Sequence, residues 1–213
     1  MPANRDTTTS LGLERLIFFS DAVFAISITL LVLEIHLPAV ETLYSDAELF
    51  KHLTGMWQSY LAYILSFLVI GTFWIAHHRK FRYIKQYDGG LIFLNLLFLM
   101  IVAFIPFPTA VLSEYSGLTA TIFYALIMLL ASLLMAAIWW YAARHERLID
   151  PKMDAKQRRR QFLAPLITAG IFLISIGFAF LNQNLARLSW LLILVASLIV
   201  GRSDQPETSG HKE

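Results

Sequence analysis

The sequence predicts an all-α, polytopic membrane protein with six transmembrane helices per subunit. Two observations lead there. The 213-residue chain is 57% hydrophobic with a mean hydropathy of +0.62, against about 45–50% apolar residues in an ordinary soluble domain. The excess arrives in blocks, and the basic residues concentrate in every second connection between those blocks, on one side of the topology. With no cysteine, disulfides and thiol chemistry are excluded. A net charge of +2, without a basic stripe interleaved with aromatics, gives nucleic-acid binding no support.

Residues 1–11 are polar and read as a flexible arm, with Thr7 to Ser10 offering a helix N-cap. The first span is 12–36; it is too long and too polar-studded for a signal-peptide core, and Pro38 ends it. A loop over 37–50 carries Glu41, Asp46 and Glu48. The second span is 51–79, with Trp57, Tyr60 and Tyr63 forming an interfacial belt at its start, and a basic loop of Arg79, Lys80, Arg82 and Lys85 follows. The third span, 88–111, opens at Asp88-Gly89-Gly90 and must kink or end at Pro106 and Pro108, which lack N–H donors. The fourth, 118–143, closes on the belt Trp139-Trp140-Tyr141. A strongly basic loop over 144–160 leads to the fifth span, 161–181, where Pro165 sits in the tolerant first turns. Asn182-Gln183-Asn184 forms a turn before the sixth span, 185–200, which is short for a bilayer needing about 20 residues. The six-helix membrane domain is therefore 12–200, and 201–213 is a polar tail expected to be disordered.

Of the 17 lysines and arginines, all but Lys51 and Arg187 fall on one side of this topology. The positive-inside rule places both termini in the cytoplasm, and the basic loops are read as topogenic. Lipid headgroup contact is the lesser reading for them.

The first span carries unusual residues for a membrane helix: Arg15, Ser20, Asp21, Ser27, Thr29 and Glu34. An ionisable group in hydrocarbon is expensive, so Asp21 is a functional-site candidate by default. The hydroxyls are cheaper, because each can bond back to its own helix. At about 100° per residue, Leu30 lies about 40° from Ile26 and Leu33 about −20°, while Asp21 and Ser20 lie about 140° and 120° away on the other side. Val23 and Phe19 extend the aliphatic stripe. From pattern alone the stripe is ordinary packing or lipid contact.

The run Arg15-x-x-x-Phe19-Ser20-Asp21, continued by Ala22 to Ile26 and Thr29 to Leu31, resembles the first-helix signature of the transmembrane protein 175 family, the endolysosomal potassium channels and their prokaryotic relatives. Phe73 to Phe81, containing Trp74-Ile75-Ala76-His77-His78-Arg79-Lys80, resembles a second-helix block, and Asn95 to Phe98 with Ile105 to Thr109 a third. Motifs cover about the first half of the chain; the second half matches in length and hydropathy.

The resemblance implies a potassium-preferring cation channel in the inner (plasma) membrane, with six helices per subunit and four copies around a pore. By that resemblance Ile26, Leu30 and Leu33 form a hydrophobic constriction, Thr29 contributes to potassium preference, and Arg15, Phe19, Ser20, Asp21, Trp74, His77 and Asn95 form an interhelical polar network. Glu34 stands at the outer mouth, either concentrating cations or simply solvated. The chain holds no Thr-Val-Gly-Tyr-Gly filter, so selectivity would come from side chains and be weaker than in filter-bearing channels. It also departs from the endolysosomal pattern in carrying one signature rather than two, so a pore requires an oligomer.

Two other classes stay open. A proton-coupled secondary transporter would use Asp21 and His77 as a relay, but the Pro106/Pro108 break has no counterpart in the second half. An enzyme finds no Ser-His, di-Asp or His-Glu-x-x-His arrangement. His36, His52, His145 and His211 are scattered, so no metal site and no cofactor is expected beyond permeating potassium.

Overall fold

The computed structural model describes residues 3–36, 45–115, 117–144 and 148–193. Eight α-helices are present there: α1 (Ala3–Leu30), α2 (Asp46–Gly55), α3 (Trp57–Tyr83), α4 (Gly89–Phe104), α5 (Pro106–Glu114), α6 (Leu118–Arg144), α7 (Ala155–Leu181) and α8 (Gln183–Ser189). Five stretches are long and apolar enough to cross a bilayer: Ser10–Glu34, Trp57–Tyr83, Gly89–Glu114, Leu118–Arg144 and Ala155–Leu181. The chain is a multi-pass membrane protein. Its sixth expected span begins in α8 and in the helical residues after Trp190; from 194 onward it lies outside the described residues, as do Pro38 and the tail.

Several boundaries differ from the sequence expectation. Helix α1 starts at Ala3, so residues 3–11 continue the helix instead of forming an arm; once a helix is nucleated, extension into a polar flank is cheap. Residues 51–55 belong to α2, which buries no side chain and starts where the Ser45 hydroxyl accepts the Glu48 N–H at 3.4 Å. The second span therefore runs from Trp57 and continues to Tyr83. Lys80, expected in a basic loop, is buried: its ammonium donates to the Gln161 carbonyl at 2.7 Å and lies 5.7 Å from the Trp139 ring. A lysine stem tolerates such burial when its head finds an acceptor. Helix α7 begins at Ala155, so the basic residues 156–160 are helical too. The prolines split the third span, with α5 starting at Pro106, where the missing N–H has no intrahelical partner to lose.

Helix α1 packs on α3 and α4, and α4 also contacts α6. The largest helix pair is α6 with α7, and α8 closes against α7. Trp190 stacks on Tyr124 at 4.6 Å between centroids and donates its indole N–H to Ser175 Oγ at 2.9 Å. At the basic end the two loops meet: Lys85 N–H donates to the Leu148 carbonyl at 2.8 Å, and Asp150 N–H to the Tyr83 carbonyl at 2.9 Å.

Helix α4 is pinned by its own cap. Asp88 accepts from Leu91 N–H at 3.0 Å and from the Tyr141 hydroxyl of α6 at 3.1 Å. Gly90 lies directly beneath that hydroxyl, so a Cβ there would collide with it. Gly90→Ala is expected to push Tyr141 off Asp88 and cost about 1–2 kcal/mol. The melting temperature in detergent checks this: Gly90→Ala should fall at least as far as Tyr141→Phe, which removes only the hydroxyl.

Candidate functional site

Helix α1 has two unlike faces. Leu13, Ser20, Phe24, Ser27 and Leu31 are buried, at steps of seven, four, three and four residues that trace one face of a helix. The opposite face is bare: Phe19 is 52% exposed, Ile26 58%, Leu30 39% and Leu33 64%. A 3-10 turn, Leu31–Glu34, follows α1. Its tighter winding carries Leu33 about one full turn past Leu30, so the aliphatic strip persists to the helix end. Hydroxyls within α1 bond back to the helix: Ser20 to the Leu16 carbonyl at 2.9 Å, Ser27 to Val23 at 2.8 Å, and Thr29, on the bare face, to Ile26 at 2.8 Å.

The buried face is tied to α3 and α4 by two sets of polar contacts. In the first, His77 Nε2 lies 2.9 Å from Asn95 Oδ1. An amide oxygen only accepts, so Nε2 carries the proton. Asn95 Nδ2 in turn donates to Ser20 Oγ at 3.0 Å, and Ser20 donates to Leu16. All three side chains are fully buried, and the bonds run in one direction from α3 through α4 to α1. His77 is held in plane by Phe81, stacked at 4.2 Å, and Phe98 at 5.9 Å, with Phe24 edge-on at 5.7 Å. Its Nδ1 meets no partner among the described residues. In the second set, Trp74 Nε1 donates to Asp21 Oδ1 at 2.9 Å nearer the surface, with Trp74 40% exposed.

Five of the seven residues expected in the polar network therefore meet: Ser20, Asp21, Trp74, His77 and Asn95. Arg15 and Phe19 do not. Both are exposed, and neither has a hydrogen bond, ion pair or ring contact among the described residues. The winding explains this, since Arg15 lies about −20° and Phe19 about 20° from Ile26, on the bare face. Asp21 is hydrogen-bonded to Trp74, and His77 to Asn95. Glu34 sits half-exposed in the 3-10 turn. Among the described residues no group of three or more His, Asp or Glu side chains clusters in a way that could hold a metal.

A second buried network escaped the sequence reading. Thr109 of α5 donates to Ser66 Oγ of α3 at 2.8 Å, and Ser66 lies 3.0 Å from the Tyr124 hydroxyl of α6. Isolated hydroxyls in apolar runs are expected to bond back to their own helix, and only the register between helices reveals that these three converge.

Comparison with known proteins fits this architecture. A profile of the family described as endosomal/lysosomal potassium channel TMEM175 matches residues 15–106. A potassium channel of Streptomyces collinus is 40% identical over 172 residues, covering 78% of this chain and 82% of that protein. The chain belongs to the TMEM175 family. A second relative, a potassium channel of Chamaesiphon minutus, is 36% identical over 168 residues, covering 77% of this chain and 82% of that one. The crystal structure of a lysosomal potassium-selective channel TMEM175 homologue from Chamaesiphon minutus superposes with a TM-score of 0.75 at 32% identity, over 91% of this chain and 99% of that one. The endosomal/lysosomal proton channel TMEM175 of Gallus gallus is 26% identical, and the match covers 92% of this chain but 42% of that protein.

Proposed function

We propose that this chain is the subunit of a homotetrameric, potassium-preferring cation channel, with α1 of each copy lining the pore. The observation that carries the reading is the bare strip of Ile26, Leu30 and Leu33 on a helix whose opposite face is held by buried hydrogen bonds. One chain cannot surround an ion path with a single helix face. Four copies about an axis bring four such strips together, and a ring of aliphatics closes a pore by excluding water. Thr29, on the same face, contributes to potassium preference, and Glu34 faces the outer mouth. The polar contacts to α3 and α4 form a clasp that holds α1 in register and take no part in conduction. Both termini are cytoplasmic and the membrane is the cell's inner membrane. The protein needs no resident cofactor, performs no enzymatic reaction, and carries potassium as cargo.

Proton-coupled transport through Asp21 and His77 is the competing mechanism. In its favour, His77 is buried with one ring nitrogen unpartnered among the described residues. Against it, an amide that does not titrate at physiological pH accepts the His77 bond, and Asp21 is engaged elsewhere. Ion flux from liposomes holding the purified protein separates the two. Potassium flux that sets a Nernst-like potential without proton movement is expected. Flux that occurs only when protons move would overturn the channel in favour of the relay.

A further inference from the structure

The seam where α6 ends and α7 begins holds an open cavity of about 530 Å³, lined by Trp140, Arg144, Met153, Arg158, Arg159 and Phe162 among others. Its volume is in the range of small-ligand sites. Three arginines line it, and among the described residues no Asp or Glu does. Asp154 is exposed at the α7 N-cap, and the Asp150 carboxylate is taken up by the Lys152 N–H at 2.9 Å. Neither Arg144 nor Arg159 has a hydrogen bond or ion pair among the described residues. The Arg144 guanidinium instead lies over the Trp140 ring at 5.1 Å, which fixes its plane while leaving its N–H edge available. The Trp139 indole donates to the Arg158 carbonyl at 3.0 Å, anchoring the first turns of α7 to α6, so the cavity is framed by two docked helices.

We propose that this cavity binds the phosphate of an anionic phospholipid headgroup. A fork of arginines suits a phosphodiester in bidentate geometry, and basic pockets between transmembrane helices at a membrane interface are where anionic headgroups settle. Continuity favours a lipid over free phosphate. Arg159, Leu163 and Ile167 lie four residues apart on one face of α7, and Leu163 and Ile167 are 39% and 50% exposed. An apolar strip thus leads from the charged rim toward the membrane centre, where acyl chains would lie. Trp140, 50% exposed, stands at headgroup level.

The test titrates the purified full chain in detergent with short-chain phosphatidylglycerol, short-chain phosphatidylcholine and inorganic phosphate, reading bound lipid by native mass spectrometry. Wild type should prefer phosphatidylglycerol. The pair Arg144→Gln and Arg159→Gln should weaken it roughly tenfold. The pair Lys152→Gln and Lys156→Gln, which removes the same charge from residues that do not line the cavity, should leave it unchanged. Equal losses in both pairs would reduce the effect to diffuse charge, and phosphate binding as tight as the lipid would make it a free-anion site; either overturns the proposal. A second measurement does not depend on the arginine variants. Brominated phosphatidylglycerol should quench a larger share of tryptophan fluorescence in wild type than in Trp140→Phe, and equal shares would also overturn it.

Discussion

Ile26→Asn is expected to raise cation flux about tenfold or more and to lower the preference for potassium over sodium. The isoleucine is 58% exposed on the bare face of α1, and four copies would line a ring that water leaves readily. An amide of similar size offers hydrogen bonds to water and hydrated ions, so the ring stays wet. A barrier lowered by only about 1.4 kcal/mol is already a factor of ten in rate. Selectivity should fall because hydrated sodium passes a wetted ring with less stripping of its shell. Flux and reversal potentials in proteoliposomes check both effects. Leu173→Asn is the control: Leu173 is 60% exposed on α7, away from α1, and this change should leave flux per channel unaltered. If Ile26→Asn behaves like Leu173→Asn, the constriction lies elsewhere.

Asn95→Ala is expected to cost about 2 kcal/mol or more of stability, chiefly by stranding a buried donor. Asn95 is the middle of the directional chain from His77 to Ser20. Its removal leaves the buried His77 Nε2–H without its acceptor and frees Ser20 from α4. Helix α1 would lose its register against α3 and α4, so lower melting temperature and impaired oligomer assembly are the readouts. Asp21→Ala should cost less, because its Trp74 contact is partly exposed to the surroundings and weakened accordingly. The order Asn95→Ala above Asp21→Ala marks a clasp. A stable Asn95→Ala protein whose flux acquires a new pH dependence would instead mark a proton path.

Much of the candidate site was legible in the residues themselves. Ionisable and amide side chains in an apolar helix are costly, so Asp21, His77 and Asn95 stand out by residue type, whereas the aliphatic strip from Ile26 to Leu33 reads as ordinary packing by its spacing and takes a role only from the family resemblance. Who bonds to whom was not legible. Trp74, His77 and Asn95 were all expected in one network with Asp21, and its carboxylate meets the Trp74 indole, because rotation of α3 about its axis decides which of Trp74 and His77 faces it. Arg15 and Phe19 illustrate the converse: the family resemblance placed both in the network, whereas helical winding, which already set Phe19 on the aliphatic stripe, puts them on the bare face.

Composition, block hydropathy and the placement of basic residues determine by themselves that this chain is a helical membrane protein and roughly where its spans lie. Those properties follow from transfer free energies, which are local and additive along the chain. Only the tertiary structure decides the pairing of Trp74 with Asp21, the burial of Lys80 beneath the Gln161 carbonyl, the junction of Ser66, Thr109 and Tyr124, and the arginine-lined seam between α6 and α7. Each depends on the rotation and depth of one helix against another. Hydrophobicity constrains those degrees of freedom weakly inside a bilayer, where lipid is as apolar as leucine and packing with hydrogen bonds sets the register.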